Sequence, residues 1–334
     1  MRSKFCASVL LMALAVGAFC AEPPVPAADS KARQAAMLPL LPACKLVVTV
    51  DVRALDTTRQ LEPLWQKVLG KPDVQLGLQN LMEAFAFELR HDLNYLVVAL
   101  DPSVPNSEFI LLDGKYNMQR VQDFLLNMNV LQDVRGNTAV YALPDEKQPG
   151  KTNYAAFLKP TLIAFGRKEA VNAAIDRLNE LDNKKLCPAA QLLQELPAEC
   201  ILRVGVVDLA SFPGEKDPIR PSINGAAAGL EVGELAKLKV LAKCKDAPAA
   251  KNIADMAQGG IALLKLFLEK EPQLAAMLKN VLNDTKASSE GALAQLSVAA
   301  PASDAVTALL KLIEIQEKKT AAGTIPADVP PGGF

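Results

Sequence analysis

Two aspartates stand at equivalent places in this chain. Asp51 closes the apolar run Leu46-Val47-Val48-Thr49-Val50, and Asp208 closes the run Ile201-Leu202-Arg203-Val204-Gly205-Val206-Val207. A pair of carboxylates is enough for glycosidase-type hydrolysis, one serving as acid and the other as base or nucleophile. Asp51 and Asp208 therefore form the candidate catalytic pair. The simpler reading is that each ends a strand and accepts backbone N–H bonds in the turn that follows. Asp101, beside Pro102, and Asp113, beside Gly114, sit at strand ends of the same kind.

Other constellations are weaker. The chain has one histidine, His91, so zinc peptidase motifs that need two on a helix face are excluded, and no Gly-x-Ser-x-Gly elbow presents a nucleophile to it. Gly150-Lys151-Thr152 matches the end of a phosphate-binding loop, but the first glycine of that motif falls on Asp145, whose carboxylate repels phosphate. No Ser-x-x-Lys occurs. Asn283-Asp284-Thr285 is a formal glycosylation sequon. These observations leave no cofactor and no metal to expect, and they favour a non-enzymatic protein.

Cysteine usage and the N-terminus speak to compartment. Arg2 and Lys4 precede the apolar stretch Phe5 to Phe19, the pattern of an export signal over residues 1–20, cleaved after Cys20 or Ala21. Lipidation at Cys20 is disfavoured by the bulky Phe19 before it. Retention of the run as an anchor is a further alternative, although it is short for a span, which wants about 20 residues, and no later segment stays uncharged that long. Cys44, Cys187, Cys200 and Cys244 remain after processing. In an oxidising compartment they are possible disulfide cysteines with three pairings open, and none forms a Cys-x-x-Cys pair.

The formal net charge is −1 with 5% aromatic residues, and there is no Lys/Arg-rich block. Both the electrostatic footprint and the stacking platform of a nucleic-acid binder are missing, so nucleic acid is excluded as a partner.

The elements that must position these residues read as two similar units. Leu41-Pro42-Ala43-Cys44 before the first apolar run returns as Leu196-Pro197-Ala198-Glu199-Cys200 before the second. The echo predicts a degenerate duplication: a signal peptide over 1–20, a flexible Pro/Ala-rich segment over 21–37, an α+β repeat over 38–182, a linker helix over 183–195, a shortened repeat over 196–316 and a disordered tail over 317–334. In the first repeat the order strand, helix, strand, strand, helix, strand is the split βαβ, ferredoxin-like pattern. Helix faces are marked by Leu61, Leu64, Trp65 and Val68, by Leu78, Leu81, Met82 and Phe85, by Met118, Val121, Leu125 and Met128, and by Val171, Ala174, Ile175 and Leu178.

In the second repeat, Ser222 to Glu231 and Leu235 to Cys244 flank Val232-Gly233-Glu234 as a hairpin, with Gly233 expected at positive φ. A long helix shows Ile253, Met256, Ala257, Gly260, Ile261, Leu264 and Phe267, a further one Leu274, Met277, Leu278 and Val281, and a last one Val306, Leu309, Leu310 and Ile313. The expected fold class is thus α+β, two degenerate ferredoxin-like repeats whose antiparallel sheets carry amphipathic helices on one face. The Gly233 hairpin and the loop from Pro213 to Pro221 are the exposed irregular segments where binding residues tend to sit.

The Leu-Pro-Ala strand openings, Asp113-Gly114-Lys115 before one amphipathic helix and Phe165-Gly166-Arg167 before another resemble a group of uncharacterised exported proteins from planctomycete and verrucomicrobial-type bacteria. The resemblance covers residues 38 to 316. It implies a periplasmic or extracellular bacterial protein and brings no catalytic residues. The expectation is an exported non-enzymatic binding or structural module of the cell envelope, with an unknown protein or envelope component as partner and no stable membrane span after signal removal. The alternatives are a carboxylate-dependent hydrolase of envelope or extracellular polymer, and an inhibitor or chaperone-like partner of another exported protein.

Overall fold

The computed structural model describes residues 27–70, 75, 88–127, 130–144, 152–180, 185–212, 219–268, 281 and 284–322. The export signal, the face built on Leu78 to Phe85, Gly150-Lys151, residues 213–218 of the Pro213 loop, the Leu274 to Leu278 helix, Asn283 and the last part of the tail lie outside these residues.

Helix α1 (Ala27–Met37) leads through a short 3-10 turn into β1 (Leu46–Asp51). Helices α2 (Val52–Thr57), α3 (Glu62–Leu69) and α4 (Leu89–Asp92) follow, then β2 (Leu93–Leu100), β3 (Phe109–Gly114) and α5 (Met118–Asn127). Four strands come next, β4 (Leu131–Arg135), β5 (Thr138–Pro144), β6 (Thr152–Lys159) and β7 (Leu162–Gly166), and then α6 (Lys168–Asn179) and α7 (Pro188–Leu193). The remainder is β8 (Leu202–Val207), β9 (Ile223–Val232), β10 (Leu235–Cys244), α8 (Ala247–Leu268), β11 (Lys286–Glu290), β12 (Leu293–Pro301) and α9 (Ala302–Ala322).

The described strands form one 12-stranded sheet in the order β11-β12-β10-β9-β8-β1-β2-β3-β7-β6-β5-β4. This corrects the expectation of two ferredoxin-like repeats. In a split βαβ the strands flanking a helix run parallel, with another strand inserted between them. Here β1 and β2 flank α2 to α4 yet run antiparallel and pair directly, Val48 opposite Val98. The other edge of β1 pairs antiparallel with β8, Val48 opposite Val204, so the two halves share a single sheet. Outward from this seam the order is β1-β2-β3-β7-β6 on one side and β8-β9-β10-β12-β11 on the other, with β5 and β4 extending the first edge.

Helices cover both faces, not one. Because strand side chains alternate, Val47, Tyr95, Val97, Phe109 and Leu111 face α1, α6 and α7, with Val171, Ile175 and Leu193 packed in the same cluster. Val48, Val50, Leu96 and Val98 face the opposite way, toward Leu55, Leu61, Leu64 and Val306. The central strands are consequently apolar at nearly every position, as a strand buried on both faces requires. Full burial of each such Val or Leu contributes about 2 kcal/mol.

Several local expectations change. The segment expected to be flexible over 21–37 contains α1, whose Ser30, Gln34 and Met37 are buried at helical spacing. Gly233 lies in the predicted hairpin, Val232 pairing with Ala236, but the left-handed glycines among the described residues include Gly136 and Gly291 and not Gly233. Helix α8 buries Ala250 and Ala254, while Met256, Leu263, Leu264 and Leu266 are exposed. Its inward face is therefore displaced from the one expected around Met256 and Leu264. Leu309 is exposed, whereas Val306 is buried and Leu310 and Ile313 pack beside it. Helix α9 continues to Ala322, into the segment expected to be a disordered tail. No helix among the described residues is long and apolar enough to cross a membrane.

Candidate functional site

The β1–β8 ladder decides what the two candidate carboxylates can do. Leu46 lies opposite Val206, and the Asp51 N–H donates to the Ile201 carbonyl. Asp208 therefore sits past the start of β1 and Asp51 at its end. At about 3.3 Å per residue the two carboxylates are about 20 Å apart along the seam. Glycosidase pairs work at about 5 to 10 Å, so this antiparallel arrangement does not bring Asp51 and Asp208 into one site.

Each aspartate has a local task instead. Asp51 Oδ1 accepts the Ala54 N–H at 2.9 Å and caps α2, satisfying a donor that the helix start leaves free. Asp208 adopts the left-handed conformation, φ 53°, which Asp tolerates better than most side chains. Its carboxylate meets Lys45 Nζ at 2.9 Å.

Lys45 is the centre of the polar cluster at this end of the sheet. Besides Asp208 it lies 3.7 Å from Asp101 Oδ1, and it donates to Ser211 Oγ at 3.1 Å and Ser103 Oγ at 3.3 Å. The cluster joins the loop after β2 to the loop after β8. Bonding to Asp208 holds the Lys45 ammonium above its ordinary pKa, with Asp101 adding to the effect. Lys45 in turn lowers the pKa of Asp208, helped by Ser211. Partial burial opposes ionisation of Asp101, but the Ser103 hydroxyl and N–H together with Lys45 outweigh it and leave that carboxyl below its usual range. A serine–lysine nucleophile pair needs a neutral lysine to take the serine proton. Lys45 is held in the opposite state.

Two cysteines adjoin this cluster. Cys44, immediately before Lys45, places its Sγ 3.2 Å from Cys187 Sγ. Cys187 is the residue that opens α7. The S–H of Cys44 stabilises a thiolate on Cys187; burial works against that charge, and the Ala190 and Ala189 N–H groups and Arg177 favour it, for a pKa lowered to about 7. The same contact and burial push the Cys44 thiol up. Cys200 and Cys244 are both buried and unbridged. Cys200 lies under Gly229 of β9 and Cys244 pairs with Ile223 of the same strand, which separates them by about 20 Å. Burial raises the Cys200 pKa to about 11 and shifts Cys244 in the same direction.

The remaining sequence candidates are dispersed. His91 lies in α4, with Nε2 3.5 Å from Glu88 Oε1. Thr152 begins β6. Asp113 accepts from Asn94 Nδ2 at 3.2 Å and lies 3.5 Å from Arg33 Nε of α1. At the Gly233 hairpin an open depression is lined by Glu199, Glu231, Glu234 and Lys237, and Lys237 pairs with Glu231 at 3.4 Å. Among the described residues no group of three or more His, Cys, Asp or Glu side chains is placed to hold a metal ion.

Two residues that matter here escaped the sequence reading. Lys45 is a single cation between Cys44 and an apolar run, a signal too common to act on. Arg203 carried a clearer one, a charge inside an apolar strand. It is buried opposite Thr49, and it donates to Gln34 of α1 and, at 2.6 Å, to the Ala198 carbonyl. These bonds explain why α1 is docked rather than loose, since a buried guanidinium must find acceptors. Compared with family models, with curated proteins and with solved structures, the chain matches none.

Proposed function

We propose that this chain is an exported, non-enzymatic binding or structural module of the bacterial cell envelope, related to the exported planctomycete and verrucomicrobial-type proteins it resembles. The observation that carries this reading is Lys45, the hub of the Lys/Ser/Asp cluster. Two carboxylates hold it as an ammonium, so it ties two loops together across the seam and has no lone pair with which to activate Ser103 or Ser211. The separation of Asp51 from Asp208 argues in the same direction. The basic start and apolar run of residues 1–20 support export, and a close thiol pair suits an oxidising compartment. The mirrored strand order about the β1–β8 seam supports a duplicated unit.

The test combines affinity capture from the native envelope with an activity assay on isolated envelope polymer, using the wild-type chain, Asp51→Asn and Asp208→Asn. Saturable recovery of a defined envelope component, with no soluble products, is the expected result. Product release that either substitution abolishes would overturn the reading, as would recovery of the chain alone.

A further inference from the structure

We infer that Cys44 and Cys187 form an intrachain disulfide that fastens the start of α7 to the start of β1, with Cys200 and Cys244 remaining free thiols. The sequence left three pairings open, and the fold removes two of them. Cys44 and Cys187 face each other at 3.2 Å across 143 residues of chain. Cys200 follows the Leu196 turn at the opposite end of the β1–β8 ladder, where Ile201 bonds Asp51, so it can reach neither Cys44 nor Cys187 without unfolding β8. Cys244 ends β10, two strands beyond β8.

The location gives the bond a purpose. Helix α7 belongs to the segment between the halves and packs on β8 and β9 through Leu192 and Leu193. Cys44 belongs to the first half. A bond between them ties the inter-half segment to the central strand β1, beside the Lys45 cluster that already joins the loops after β2 and β8. It closes a long loop, for which the entropy removed from the unfolded chain is large.

The two thiols are unequal in a way that sets the order of events. Cys44 is 7% exposed and Cys187 is partly open to solvent. With a small-molecule disulfide as oxidant, the Cys187 thiolate attacks one donor sulfur. The donor S–S bond breaks, a mixed disulfide forms on Cys187 and one donor thiolate leaves. Cys44 then gives up its proton and attacks Cys187 Sγ, breaking the mixed disulfide and releasing the second donor thiolate. Two protein thiols are oxidised and one donor disulfide is reduced to two thiols. The inference rests on this contact and not on the proposed envelope role, so either can fail alone.

The experiment uses the full chain equilibrated with glutathione disulfide, denatured in an alkylating agent, digested without reductant and analysed by mass spectrometry. A peptide pair joined through Cys44 and Cys187, with Cys200 and Cys244 alkylated, is the expected result. Alkylation of both Cys44 and Cys187, or a linked peptide containing Cys200 or Cys244, would overturn the inference. Thermal melting gives a second readout that does not depend on any variant folding well. Reductant should lower the Tm of the oxidised wild-type chain by about 10 °C, and a Tm indifferent to reductant would count against the bond. Cys187→Ser should melt at the same temperature with and without reductant.

Discussion

At the scale of single residues, the polar side chains of this protein act as fasteners. Asp51 caps a helix, Arg203 anchors α1, and Lys45 draws two loops to the end of the seam. The Lys45 cluster has a testable pH signature. The folded pKa of Asp208 lies below its unfolded value of about 4. A depressed carboxyl contributes stability that is fully present above the unfolded value and is lost as the pH falls through the folded one. Asp208→Asn should therefore melt below wild type at pH 7. The two curves should converge as the pH drops below about 4, where the wild-type carboxylate is protonated and Lys45 loses this one of its partners. Melting temperatures measured from pH 7 down to pH 2 check this, and a difference that persists at the acid end would assign the effect to something other than the ion pair.

At the scale of elements, α7 crosses β8 and β9 at close range. Gly205 and Gly225 sit under it without side chains, and Gly229 lies under Leu196 and Cys200 just past the helix. A Cβ on Gly205 would collide with the Ala189 carbonyl oxygen and approach Leu193 Cδ2 to 2.9 Å, and one on Gly229 would come within 2.6 Å of Cys200 Sγ. The first obstacle is backbone, which cannot rotate away, so Gly205→Ala must lift α7 off the sheet. We expect a loss of about 3 kcal/mol, read as a lower urea midpoint at unchanged m-value. Gly233 is the control. A Cβ there meets nothing within 4 Å, and Gly233→Ala should change stability by less than about 0.5 kcal/mol. Legibility in the sequence follows burial at this scale. The inward face of α6, with Val171, Ala174 and Ile175 at 0% exposure, was evident from spacing alone. The edge strands β4 and β11 were not. Leu-Gln-Asp-Val-Arg and Lys-Ala-Ser-Ser-Glu carry no strict alternation, because β4 is exposed at every position and β11 buries Ala287 alone, so neither strand has an apolar row for a core to select. Helix α1 was missed for another reason, since Ser30 and Gln34, two of the three positions buried within 30–37, are polar.

At the scale of the whole molecule, β1 is the common member of two half-sheets and is buried on both faces. Cutting the chain in the segment 181–187 would give each half an exposed apolar edge, β1 on one and β8 on the other. Neither half should be soluble and folded alone, and the two produced together should form a 1:1 complex by size-exclusion chromatography. The intact chain should unfold in a single urea transition, coincident by circular dichroism and by size. Two separated transitions would show instead that the halves are independent domains. By itself the amino-acid order determined the strands of the seam, the recurrence of the Leu-Pro-Ala openings and the inward faces of α5 and α6, because periodicity of burial is written locally in residue type. It could not determine that β1 and β8 pair antiparallel, that helices cover both faces of one sheet, or which cysteines meet. Those depend on contacts between residues more than a hundred positions apart. The antiparallel seam carries Asp51 and Asp208 to opposite ends of the sheet and brings Cys44, Lys45 and Asp208 to the same one, where the start of α7 sets Cys187.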